Sequence, residues 1–132
     1  MNMINKLKSK LINLKYNTGR NKIGHIGDNV SLPWKMIIVG GNINIQHDTH
    51  IGTGAVLYAI TSKITIGHYV VASHNLKIIT GDHERRVGTF CNSITEATKN
   101  HHIGLDKDVV IESDVWIGMN VVILKGGSSA VE

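Results

Sequence analysis

The stretch IGHYVVASHNLKIITGDH, residues 66–83, divides into three units of six: IGHYVV, ASHNLK and IITGDH. Each opens on an apolar residue (Ile66, Ala72, Ile78), and Val70 and Leu76 place a second one at the fifth position. A helix repeats its apolar face about every 3.6 residues and a half-buried strand every two. Six fits neither, so the pattern is an internal repeat. Reading outward, VGGNIN, IQHDTH and IGTGAV run from Val39, followed by a less regular LYAITS and a slip of three residues before Ile66. IESDVW, IGMNVV and ILKGGS resume the pattern at Ile111. The units open at 39, 45, 51, 57, 66, 72, 78, 111, 117 and 123, and nine of these ten positions hold Val, Ile or Leu. IGDNVS at 26–31 has the same form.

Six residues make a short strand and a turn. The first side chain points inward, a small or aliphatic one follows near the corner, and glycine at the second position (Gly40, Gly52, Gly67, Gly118) relieves crowding at the bend. Three units close one triangular coil of eighteen residues. A coil cannot bury its apolar face alone, so stability comes from stacking on its neighbours.

The repeats resemble those of the hexapeptide acyltransferases over about residues 23–126. The resemblance implies an all-β fold, a left-handed parallel β-helix of four to five coils. The expected division is an N-terminal cap over 1–22 and a β-helix domain over 23–132, with a loop extruded at about 84–107.

Bulk properties agree with one modest globular domain: 132 residues, 42% hydrophobic and 18% charged. Aromatics are only 5%, which suits a core of stacked aliphatic side chains. Cys91 is the sole cysteine, so no intramolecular disulfide forms, and a reducing cytoplasmic location is expected. A net charge of +4 favours an anionic partner without naming one; no nucleic-acid partner is expected. Lys6, Lys8, Lys10, Lys15, Arg20 and Lys22 carry much of the excess. Met3, Ile4, Leu7, Leu11, Ile12 and Leu14 fall at helical spacing among these cations, predicting a short amphipathic helix. Such a helix either docks on a membrane surface or covers the open end of the repeat core, and the cap is the expected role. No apolar run reaches the roughly eighteen residues of a membrane span, and no continuous apolar segment suggests a signal peptide.

The repeat breaks directly after TGDH, at Asp82 and His83, and the polar segment from Glu84 to about Lys107 keeps no period. A loop of that length in a compact repeat protein points to function. An imidazole there suits general-base work, since histidine ordinarily titrates near neutrality. An adjacent carboxylate would fix its tautomer, with Asp82 and Glu84 both candidates.

TGDH, the excursion, and SDVWIGMNVVILKG together resemble the xenobiotic, maltose and galactoside acetyltransferase branch, which includes polysaccharide O-acetyltransferases. That resemblance implies His83 as catalytic base, Trp116 in the acceptor and acetyl-CoA cleft, and a homotrimer with each site between two subunits. The implied reaction moves an acetyl group from acetyl-CoA to a sugar hydroxyl. Asn75 is a further candidate for orienting the site, Arg85 and Arg86 for an anionic acceptor or coenzyme phosphates, and Asn120 and Lys125 lie on later turns near the implied coenzyme. Family members continue with more coils after Leu124, whereas here Gly127 replaces the fifth-position aliphatic. The expectation is a form lacking C-terminal coils, with a catalytically inactive trimeric scaffold or binding module as the alternative. Zinc between subunits is not expected: gamma-class carbonic anhydrases place two histidines five residues apart, and no two of the eight histidines here have that spacing.

Overall fold

The computed structural model describes residues 2–16 and 20–129. After helix α1 (Met3–Tyr16) the chain winds through three parallel sheets in cyclic order, forming a three-sided β-helix of four coils and the start of a fifth. The first face holds β1 (His25–Ile26), β3 (Ile43–Ile45), β6 (Ile64–Ile66), β9 (Val109–Ile111) and β12 (Ser128–Ser129). The second holds β4 (His50–Ile51), β7 (Val71–Ala72) and β10 (Trp116–Ile117), with Ser31 bridged to His50 below them. The third holds β2 (Met36–Gly40), β5 (Ala55–Ala59), β8 (Lys77–Ile79) and β11 (Val122–Leu124).

The register stacks like on like. Ile45, Ile66 and Ile111 form one buried column, Ile51, Ala72 and Ile117 a second, and Ile38, Leu57 and Ile78 a third capped by half-buried Ile123. Thr49, Ala55, Val70 and Leu76 fill the fifth positions and are buried too. Thr49 is the polar member of that set: its hydroxyl donates to the Gly67 carbonyl at 2.9 Å and accepts from the Val70 amide at 3.3 Å.

One expected unit is corrected. Val39 does not open the first third-face unit; Ile38 does, lying opposite Leu57, while Val39 pairs with Tyr58 and is only half-buried. An extra residue at Gly40–Gly41 causes the shift. From Ile38 to Ile45 the step is seven, from Leu57 to Ile66 nine, and from Ile78 to Ile111 thirty-three. All three departures from six fall on the edge where the third face turns into the first. The other two edges keep the step of six in every coil.

Those two regular edges share a device absent from the expectation above. The fourth residue of most units adopts a left-handed backbone: Asn29, Asp48, Tyr69 and Asp114 at one edge, Gly54, Asn75 and Asn120 at the other, with φ from 54 to 85°. Asn and Asp tolerate that conformation better than other non-glycine residues. The second-position glycines serve a different need from the sharp bend expected of them, because the next coil passes close over them. A Cβ on Gly67 would lie 2.6 Å from the Ser113 amide nitrogen, whereas one on Gly118, in the last complete coil, would meet only the Trp116 ring at 4.0 Å.

Helix α1 forms as expected, but Met3, Ile4, Leu7 and Leu11 are all exposed, so they do not cover the core. The side chains of Ile12 and Leu14 lie outside the described residues. Among the described residues no helix is long and apolar enough to cross a membrane.

Candidate active site

The irregular edge gathers polar groups because its insertions lie one above another. The Asn42 amide donates to the Ile60 carbonyl in the coil above. Thr61, in the slip of three, donates its hydroxyl to Asp106 at the far end of the extruded loop. The loop leaves after buried Thr80, whose hydroxyl donates to the Tyr58 carbonyl at 3.1 Å. It returns at Lys107, whose amide donates to the Thr80 carbonyl at 3.0 Å. The neck is therefore closed by main-chain bonding, and the coil register resumes undisturbed at β9.

Ion pairs hold the loop. Glu84 is only 5% exposed, and its carboxylate takes a bidentate pair from Arg86 (2.5 and 2.9 Å) and the Asn100 amide at 2.7 Å. Arg86 also donates to the Thr98 carbonyl, so the outgoing and returning legs are tied together. The Arg86 guanidinium, and then the Asn100 amide, hold the Glu84 carboxyl below the usual carboxylate range. At the base, Asp106 pairs with Lys99, and both side chains are nearly buried. Burial pushes the Asp106 carboxyl up, but Lys99, the Thr61 hydroxyl and the Asp82 amide outweigh it and bring it below its ordinary value.

His83 sits at the start of this loop, its side chain exposed, lining a cleft of about 320 Å³ with Tyr58, Ile60, Ile79, Gly81 and Lys99. Its Nδ1 lies 2.8 Å from the Glu84 main-chain oxygen. A carbonyl can only accept, so in the neutral ring Nδ1 carries the proton and Nε2 keeps its lone pair. Among the described residues no hydrogen-bond partner faces Nε2. In this chain the ring is oriented by that main-chain carbonyl, while the Asp82 and Glu84 carboxylates bond Lys125 and Arg86. The Asp82 carboxylate accepts the His83 backbone amide at 2.8 Å and the Lys125 ammonium at 2.7 Å. Lys125 above all, and then the His83 amide, hold the Asp82 carboxyl below its ordinary value. Asp82 thus fixes the backbone on which the imidazole is mounted rather than the ring itself.

The other expected residues are not brought to His83 within one chain. Trp116 stands 76% exposed on the second face, opposite Val71, beside a separate apolar hollow lined by Ile117, Val121 and Ile123. Asn75 is a corner residue in left-handed conformation, its amide donating to Asn120 at 3.0 Å, at a different edge from the loop. Arg85 is exposed and acts on Asp82 only through its charge. Sequence reasoning missed Tyr58, Thr61, Lys99 and Asp106, and Lys125 turns out to serve Asp82. Glu96, His101 and Asp106 place ligand atoms within 4.8 Å of one another, although the two Asp106 oxygens already bond Lys99 and Thr61.

Set beside known proteins, the chain is 33% identical over 85 residues to the polysialic acid O-acetyltransferase of Neisseria meningitidis, an alignment covering 64% of this chain and 36% of that protein. The chain thus spans about a third of the length of the curated relative it matches. No family model matches the sequence, and no solved structure matches it.

Proposed function

We propose that this left-handed parallel β-helix is an acetyl-CoA-dependent O-acetyltransferase acting on a sugar or polysaccharide-precursor hydroxyl, with His83 as general base. The observation that carries the proposal is the 2.8 Å contact of Nδ1 with the Glu84 carbonyl: Nδ1–H donates there, which leaves Nε2 as the basic nitrogen of a side chain that lines the cleft. The similarity to a polysialic acid O-acetyltransferase supports the reaction class.

In the proposed step, Nε2 takes the proton of the acceptor hydroxyl as its oxygen attacks the thioester carbon of acetyl-CoA. The tetrahedral intermediate collapses with cleavage of the carbon–sulfur bond, and the imidazolium returns the proton to the leaving coenzyme A thiolate. Products are the O-acetyl ester and coenzyme A, and His83 ends as it began. A positioned base of this kind contributes roughly 10²–10⁴-fold. Donors at the loop neck would meet the oxyanion.

The distribution of apolar surface supports a homotrimer. The third face exposes Ile37, Val122 and Leu124, and the second exposes Val71 and Trp116. Two different apolar faces on one protomer suit a head-to-tail contact that closes into a ring. Such a contact would bring Trp116 of the partner subunit toward the edge that carries His83, with Arg85 at the mouth for an anionic acceptor or coenzyme phosphate. In this reading each active site lies at a seam between subunits.

The experiment is acetyl transfer to sugar acceptors by wild type and His83→Ala, with molar mass measured by light scattering. A trimer that turns over, and loses turnover with His83, supports the assignment. A well-folded trimer with no measurable affinity for coenzyme A would favour the scaffold alternative.

A further inference from the structure

Charge is segregated along this chain. Six of the 14 lysines and arginines lie in the first twenty-two residues, which contain no acid; the first is Asp28. What remains carries eight basic against ten acidic side chains, so the β-helix is slightly acidic and the basic character belongs to the N-terminal segment. Charge asymmetry of this kind marks an interaction segment rather than a general surface property.

The geometry of α1 narrows the partner. At helical spacing Met3, Ile4, Leu7 and Leu11 share one stripe, and all four are between 59% and 78% exposed. Lys6 and Lys8, both exposed, fall on opposite flanks of that stripe, and Asn5 lies behind it. An apolar stripe flanked by cations matches a bilayer boundary, where the stripe enters the acyl region and the ammonium groups stay at headgroup level. A nucleic acid would satisfy the lysines but leave the stripe in water. Another copy of α1 would cover the stripe but offer the lysines no carboxylate.

We infer that α1 is a membrane-surface anchor that lies in the plane of an anionic bilayer and tethers the β-helix to it. The anchor is peripheral, since 14 residues of this composition do not span a membrane. It is salt-sensitive, because the lysine contribution falls with ionic screening.

The test uses the full chain and co-sedimentation with vesicles of phosphatidylglycerol and phosphatidylcholine in equal parts, against vesicles of phosphatidylcholine alone. Binding to the anionic vesicles, weak binding to the neutral ones, and release in concentrated salt are expected. The double variant Leu7→Glu/Leu11→Glu abolishes binding, and Lys6→Gln/Lys8→Gln weakens it roughly tenfold or more, with the circular dichroism of the β-helix unchanged in both. Absence of binding, or equal binding to the two vesicle types, overturns the anchor. So does a leucine variant that keeps its vesicle binding but changes oligomeric state, since the stripe would then be a contact between copies.

Discussion

The three edges of the coil are built in two ways. Two of them turn in the same six-residue step throughout and are held mostly by Asn, Asp or glycine in left-handed conformation, with Tyr69 among them. The third absorbs one extra residue after the first coil, three after the second and the whole loop after the third. The difference shows where this architecture tolerates change. An insertion costs the stacked core little when its two ends return to register, as the Thr80–Lys107 bond ensures here. Insertions confined to one edge also touch one another, which is how Asn42, Thr61, Asp106 and His83 come to share a region despite their distance in sequence. Regular edges supply stability, and the irregular edge gathers the polar groups.

Four perturbations sharpen that contrast, from the largest expected effect downward. Leu57→Ala removes a fully buried side chain from between Ile38 and Ile78, and a loss of about 2–5 kcal/mol is expected in urea unfolding. A loss under about 1 kcal/mol would mean the column is loosely packed. Lys99→Met leaves nearly buried Asp106 without its ion-pair partner, at a cost of about 3 kcal/mol at the loop neck. Hydrogen exchange at the Asp82 and Lys107 amides should quicken roughly a hundredfold while the β7 amides hold. Equal acceleration everywhere would show that loop and coil unfold as one unit.

Glycine substitutions compare a covered coil with an uncovered one. Gly67→Ala forces a Cβ against the Ser113 backbone and should cost about 1–3 kcal/mol. Gly118→Ala meets nothing closer than 4.0 Å and should stay within about 0.5 kcal/mol of wild type. Similar losses at both sites would contradict the stacking described. The smallest effect concerns acid. Asp82, Glu84 and Asp106 all have folded-state values held below the ordinary carboxylate range. Their stabilisation is complete above the unfolded value, about 4, and is lost as pH falls through the folded values. The loop should therefore become protease-sensitive below about pH 4, and cleavage independent of pH would count against these bonds.

Much of the coil was legible because its requirement is periodic. An inward aliphatic must recur wherever one coil lies on the next, and the period of six records it. The register failed at Val39 because Ile38 and Val39 are both aliphatic, and a single extra residue at Gly40–Gly41 leaves periodicity nothing to choose by. The left-handed corners were legible and went unread: Asn29, Asp48, Asn75, Asp114 and Asn120 occupy the fourth position of their units. That pattern identifies Asn75 as a corner residue. His83 stood out because the ladder breaks beside it. Its orienting group did not, since a main-chain carbonyl leaves no trace in residue type. Lys99, Asp106 and Thr61 meet only through the folding of an aperiodic loop, which no local pattern encodes.

The most direct test is the acetyl-transfer rate of wild type and His83→Ala with a sugar acceptor, at equal protein concentration and with coenzyme A affinity measured in parallel. The account predicts a fall of roughly 10²–10⁴-fold in kcat with coenzyme binding retained. Equal rates in the two proteins, or a wild type that binds coenzyme A and transfers nothing, would contradict it.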